Sequence, residues 1–239
     1  MYRGKKILAL IPARGGSKRL PNKNILKLSN KPLIGWTIEA AKKSKYIDQI
    51  FISTDSPEIK DVAESFDCNV PYLRSKSLST DSSTTLDVAI DVIHKFRKDQ
   101  VFFDYLILLQ PTSPLRKESH IDEAIEVFFE KKANSIISVS LAEHSSYWVN
   151  TIPKDGSMTN FLRKEFQNKR SQDLPKEYRL NGAIYLISIE SLIHEKSFFT
   201  KEKSYAYIME FENSIDIDSV YDFELAQIIL KSQNKKPPN

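Results

Sequence analysis

Three stretches of this sequence hold residue types at spacings that can do chemistry. The first is Ile11-Pro12-Ala13-Arg14-Gly15-Gly16-Ser17-Lys18, running on to Lys23-Asn24. Paired glycines open backbone angles closed to other residues and let amide groups approach a phosphate closely. Arg14, Lys18 and Lys23 can offset the charge of a triphosphate. Neither G-x-x-x-x-G-K-[ST] nor G-x-G-x-x-G is present, so a solvated surface loop is the competing reading. The apolar run just before the loop favours nucleotide binding, because ligands of open α/β sheets gather beyond the carboxyl ends of the strands.

The second stretch is Ser214-Ile215-Asp216-Ile217-Asp218. In an extended segment alternate side chains share a face, so Asp216 and Asp218 point together while the isoleucines face the core. Two adjacent carboxylates repel unless a cation lies between them, and hard oxygen ligands suit Mg²⁺, with Mn²⁺ as the alternative. The competing reading makes Asp218 the cap of a helix beginning near Val220. That accounts for one aspartate and not for the pair.

The third is Leu109-Gln110-Pro111-Thr112-Ser113-Pro114-Leu115-Arg116, at the exit of an apolar run. Its prolines stiffen the loop, and Gln110 offers a ligand both donor and acceptor. A purely structural turn fits the spacing equally well. The four histidines (His94, His120, His144 and His194) are scattered, with no ligand-like or triad-like grouping.

These loops need elements to hold them. Residues 6–13 (KILALIPA), 49–53, 105–109 and 135–139 read as buried strands. Helical spacing runs through 33–43, 57–66, 86–98 and 119–132. Pro57 suits a first helical turn and Ser119 a cap. Such alternation predicts an α/β fold, a sheet of parallel strands with helices on both faces. Residues 181–188 and 205–209 return to strand character, 220–231 form a last helix, and 235–239 are expected to fray. Between Leu141 and Leu180 the periodicity fails, yet Tyr147, Trp148, Phe161 and Phe166 make the stretch too aromatic for a free linker. It reads as an excursion from one domain, 1–239, that packs on something else.

At 239 residues the chain can bury one full-sized core. Its composition, 41% hydrophobic and 28% charged, is that of a globular protein. A net charge of +4 is too mild to imply a nucleic-acid partner, and the basic residues gather locally around a small polyanion's worth of space. The single cysteine, Cys68, excludes an intrachain disulfide. The basic start followed by residues 7–11 resembles a signal peptide only superficially, since Pro12 and Arg14 cut the apolar run short. A cytoplasmic protein without membrane association is the expectation.

With the motifs in order, the chain resembles the acylneuraminate cytidylyltransferases, or CMP-sialic acid synthetases, including bacterial enzymes for legionaminic and pseudaminic acids. The matching stretches are IPARGGSKRLPNKN (11–24), STD (53–55), LLQPTSPLR (108–116), NGAIY (181–185) and SIDID (214–218). The resemblance implies a Rossmann-like, mixed but mainly parallel sheet of the nucleotide-diphospho-sugar transferase type. It implies CTP and a nine-carbon sugar acid as substrates. Arg14, Gly15, Ser17, Lys18 and Lys23 would hold the triphosphate and Asn24 would help place the nucleotide. Arg74, here followed by Ser75 where the family usually has Pro, and Ser82 would lie near the base. Gln110 and Tyr185 would face the sugar, and Asp216 and Asp218 the metal, with Arg14, Lys23 and the two aspartates as the catalytic set. Residues 141–180 match an arm through which family members dimerise, so that Arg170, Phe198 and Phe199 would complete a neighbouring subunit's sugar site. A cytidylyltransferase for another sugar acid, such as an eight-carbon one, and a catalytically silent nucleotide-binding paralogue remain as rivals.

Overall fold

The computed structural model describes residues 1–233; the expected fraying of 235–239 lies outside them. Along the chain come β1 (Ile7–Pro12), β2 (Lys27–Leu28), β3 (Lys31–Pro32), α1 (Leu33–Lys43), β4 (Gln49–Ser53), α2 (Pro57–Glu64) and α3 (Thr85–Lys98). There follow β5 (Tyr105–Leu108), α4 (Glu118–Glu130), β6 (Ser135–Leu141), β7 (Tyr178–Ser188), α5 (Ile189–Glu195), β8 (Ser204–Ile208) and α6 (Val220–Gln233).

Six strands form one sheet in the order β4-β1-β5-β7-β6-β8. The β4–β1, β1–β5 and β6–β8 pairs are parallel, while β7 runs against both of its neighbours. The sheet is therefore mixed and mainly parallel. Its interior strand β1 is apolar throughout because both of its faces are covered. Ile7, Ala9 and Ile11 pack beneath α1, α2 and α4, and Leu8 and Leu10 meet Val88, Val92 and Ile93 of α3 and Leu192 of α5. A third cluster joins Ile215 and Ile217 to Leu28, Leu33, Leu115 and the inner face of α6. This cluster fixes the paired-aspartate segment against the rest of the fold.

Helix α1 and strand β4 start and stop where the periodicity places them. Ser119 is not a helix cap: α4 begins at Glu118, and the Lys117 amide donates to His120 Nδ1 at 3.1 Å. The two-turn α5 escapes periodicity because it is too short to display one; Ser188 Oγ caps it by accepting from the Ser191 amide. Residues 142–177 join β6 to β7 with only short 3₁₀ turns, so the strands trim the expected excursion at both ends. Within it Tyr147 and Phe166 stack at 4.1 Å, while Val149, Ile152 and Met158 are exposed. No helix among the described residues is long and apolar enough to cross a membrane.

Candidate active site

The carboxyl ends of β1 and β5 open into a cleft of about 620 Å³, bordered by Arg14, Lys18, Lys23, Arg74, Gln110 and Asp218. Ser17 also lines it. The loop after β1 is shaped by close contact and not by unusual backbone angles, since neither Gly15 nor Gly16 has positive φ. A Cβ on Gly15 would stand 3.0 Å from the Ser56 Cβ, at the start of α2. The Gly15 amide donates to Asp55 Oδ1 at 3.0 Å, so it is engaged by a carboxylate of the fold. Asn24 is buried and donates to the Arg14 carbonyl at 3.0 Å, bracing the loop from behind.

On one wall Asp81 pairs with two cations at once, Arg14 at 2.9 Å and Lys18 at 2.5 Å. Those hydrogen bonds, Lys18's first, hold the Asp81 carboxyl below its ordinary value. Arg74 is 7% exposed and lies 3.8 Å from Asp55, and burial lowers its pKa. Ser82 is exposed and outside the lining of the cleft, which is completed by its neighbours Ser83 and Thr84.

The opposite wall is the 214–218 segment, where the Ile217 amide donates to the Thr112 carbonyl at 2.7 Å. Ile215 and Ile217 are buried and the two aspartates partly exposed, the alternation expected of an extended run. Asp218 accepts from Lys23 at 2.9 Å and pairs with Arg19 at 3.0 Å. It does not cap α6: Ser219 Oγ accepts from the Asp222 amide while Asp222 Oδ2 accepts from the Ser219 amide, a reciprocal box. Asp216 has one buried oxygen, Oδ1, without any partner. Burial raises its pKa, the Thr112 hydroxyl opposes this, and Asp218 adds to it.

Gly182 sits against this carboxylate. Its φ of 74° lies in the left-handed region, and a Cβ there would stand 3.1 Å from Gln110 Oε1 and 3.7 Å from Asp216 Oδ2. Glycine is thus required twice over, by conformation and by space. Tyr185, raised in pKa by burial and by Asp216, packs its ring 5.6 Å from that of Phe198 in the same chain. Phe198 is therefore a neighbour of its own subunit's Tyr185, whereas Phe199 is 52% exposed. Arg170 is exposed on the 142–177 connection and paired with Asp173; it is not among the described residues that line the cleft. Asp55 and Gly182 lie in the matched stretches 53–55 and 181–185 without a role assigned to them there, and Asp81 lies in none. An Asn-Gly pair inside a strand pattern is the signal for Gly182; Asp55 has its place in the STD stretch, and Asp81 has none beyond a short polar loop.

A family model described as cytidylyltransferase matches residues 8–235. The chain belongs to the cytidylyltransferase family. It is 40% identical over 232 residues to a CMP-N,N'-diacetyllegionaminic acid synthase of Legionella pneumophila, covering 95% of this chain and 97% of that one. It is 36% identical to an N-acylneuraminate cytidylyltransferase of Escherichia coli, matching 97% of this chain but 54% of the relative, so this cytidylyltransferase spans about half of that protein. A solved CMP:2-keto-3-deoxy-manno-octonic acid synthetase complexed with CTP shares the fold, with a TM-score of 0.71 at 16% identity over 95% of this chain and 99% of that one.

The carboxylates of this cytidylyltransferase fit a hard divalent cation. Asp216 offers an unpartnered oxygen, and Asp218 a second carboxylate whose charge Lys23 and Arg19 now balance. Among the described residues no group of three His, Cys, Asp or Glu side chains gathers to hold a metal. That donor set suits Mg²⁺, which takes one or two carboxylates and completes its shell with water and substrate phosphate.

Proposed function

We propose that this cytidylyltransferase transfers CMP from CTP to the anomeric hydroxyl of a nine-carbon, sialic acid-like sugar, releasing pyrophosphate. N-acetylneuraminic, legionaminic and pseudaminic acids are the candidate acceptors. The observation that carries the reading is the convergence of Arg14, Lys18 and Lys23 with Asp218 on one cleft at the carboxyl ends of β1 and β5, with Asp216 beside Gln110. Cations at that place neutralise charge that builds on the phosphates, and a rigid cleft aligns an in-line attack. Arg14 and Lys18 would take the outer phosphates after exchanging Asp81 for them. Lys23, held between Asp218 and the Ile217 carbonyl, would meet the phosphate nearest the reaction. Gln110 and Tyr185 would orient the sugar on the Asp216 side.

Asp216 and Asp218 would hold Mg²⁺ or Mn²⁺. Such an ion polarises a phosphoryl oxygen and lowers the pKa of a bound hydroxyl. The sugar acid attacks phosphorus directly, so no protein nucleophile is required. This agrees with the scatter of the histidines and the burial of Cys68.

The active unit in this reading is a cytoplasmic homodimer formed through the 142–177 connection, whose exposed Val149, Ile152 and Met158 favour a covering partner. An eight-carbon acceptor is the second reading, supported only by the shared fold of the octonic acid synthetase. The experiment is pyrophosphate release with CTP and each of the three nine-carbon acids, alongside the eight-carbon acid. Turnover with the eight-carbon acid alone, or equal use of all four nucleoside triphosphates, would overturn the proposal.

A further inference from the structure

Among the described residues Arg116 is the largest fully buried side chain, 2% exposed, and no carboxylate pairs with it. Its Nη1 donates to the Ala183 carbonyl at 2.8 Å and to the Gln110 carbonyl at 3.2 Å. Nε and Nη2 are buried without partners. A buried charge held only by neutral acceptors is costly to keep. An apolar residue would fill the space without that cost, so the contacts the guanidinium makes must explain its presence.

Those contacts tie together the two segments that face the sugar side of the cleft. The Gln110 carbonyl belongs to the loop after β5, and Ala183 follows Gly182 in β7. Ser113, in the same loop, donates to the Asn181 carbonyl at 3.4 Å, and Asn181 Oδ1 accepts from Ser138 at 2.6 Å and from the Ala183 amide at 3.1 Å. Ser113, Arg116, Ser138, Asn181 and Ala183 are all buried. Next in β7, Gly182 leaves room for both Gln110 Oε1 and Asp216 Oδ2, which a Cβ there would approach to 3.1 and 3.7 Å. A change of a few tenths of an ångström at 182–183 thus alters the gap between those two groups. Arg14 and Lys18 stand on other supports, namely the loop after β1, Asp55 and Asp81, whereas Lys23 is held by Asp218 and the Ile217 carbonyl.

We propose that Arg116 is a positioning residue that sets specificity and affinity for the sugar acid. Its Nη1, donating to both the Gln110 and Ala183 carbonyls, holds the Gln110 side chain, Gly182 and Asp216 in register. A lysine ends in a flexible stem and lacks the rigid guanidinium plane that aims Nη1 at both carbonyls. The inference rests on the cytidylyltransfer reading above.

The test compares Arg116→Lys, Arg116→Met and Arg116→Ala with the wild type, measuring KM and kcat for CTP and for the sugar acid separately, with thermal unfolding alongside. Folded Lys and Met variants should raise KM for the sugar acid roughly tenfold or more while KM for CTP stays within about twofold. Guanidinium ion at a sub-denaturing concentration should restore the sugar KM of Arg116→Ala, which a merely structural loss would not allow. Equal losses toward both substrates, an unperturbed Met variant, or failure of all three to fold would overturn the proposal. A wild-type protein without cytidylyltransfer would instead sink the functional reading itself.

Discussion

Lys23 and Asp218, 195 residues apart in sequence, meet at 2.9 Å, and the same ammonium donates to the Ile217 carbonyl at 2.7 Å. The first loop of the chain is thereby stitched to its last functional segment. The Lys23 side chain is only 12% exposed, so its charge acts across a medium less polar than water. Lys23→Ala should therefore depress kcat by two or more orders of magnitude, in the range seen when a charge-stabilising donor is removed. Steady-state kinetics check it; a change confined to KM for the sugar acid would contradict the placement of Lys23 at the phosphates.

Asp218 and Ser219 are neighbours with separable duties. Ser219 shares a reciprocal box with Asp222 at the start of α6, and Asp218 faces the cleft. Ser219→Ala should cost about 1 kcal/mol of stability with activity largely retained. Asp218→Asn should keep the fold and lose most turnover, because an amide is a poor ligand for a hard cation. Paired melting curves and turnover measurements decide the matter; near-normal activity of Asp218→Asn would remove it from the metal site.

Asp81 pairs with the two cations that an incoming triphosphate would need in the proposed reaction. Its own pKa is depressed by Lys18 and Arg14, so it stays charged from neutral pH to below the ordinary carboxylate range, and acidification within the neutral range cannot release it. Displacement by phosphate must. Asp81→Asn is expected to lower KM for CTP by about two- to fivefold, the scale of an exposed ion pair. The gain should shrink as salt is added. A rise in KM would mean that Asp81 organises the site and does not compete for it.

Asp216 is shifted the other way, chiefly by burial. A carboxyl whose folded pKa is raised carries no cost below its unfolded pKa. The cost develops as pH rises through the folded value and is constant above it. Asp216→Asn should then unfold at a higher temperature than the metal-free wild type near neutral pH, with the difference fading in acid, while turnover collapses. Mg²⁺ should raise the melting temperature of the wild type and not of the variant. A variant less stable than the wild type at neutral pH would argue that Asp216 is a structural group.

Much of this was readable in residue patterns, for physical reasons that also explain the failures. A strand covered on both faces must be continuously apolar, so β1, β4 and β5 were visible as such. Alternation of period two placed Asp216 and Asp218 on one side of an extended run. The reversed direction of β7 was hidden because the long 142–177 connection carries no hairpin turn chemistry. The glycine at position 15 invited a phosphate argument, whereas the fold uses it to pass close to Ser56. Ser119 satisfied the general preference for a hydroxyl cap, yet the helix begins one residue earlier, with Lys117 at the cap position and its amide donating to His120 Nδ1. Arg116 was simply one more basic residue until burial singled it out.

The proposed dimer makes the most demanding prediction. Phe198 is committed to Tyr185 in its own chain, which leaves Phe199 and Arg170 as the exposed groups able to reach another subunit's sugar site. Val149, Ile152 and Met158, 67%, 62% and 56% exposed, add apolar surface whose removal from water is favourable by about 25 cal/mol per Å², before association costs are subtracted. A two-fold pairing through this connection would give two equivalent sites, each completed in trans. Mixing an Asp216→Asn subunit with a Phe199→Ala subunit, under conditions of proven exchange, then yields some dimers with one site free of both changes. Such mixtures should recover roughly a quarter of wild-type activity, since half of the dimers are mixed and each carries one intact site of two. Each parent alone stays impaired. A fully active monomer in sedimentation, or exchange without recovery, would refute completion in trans.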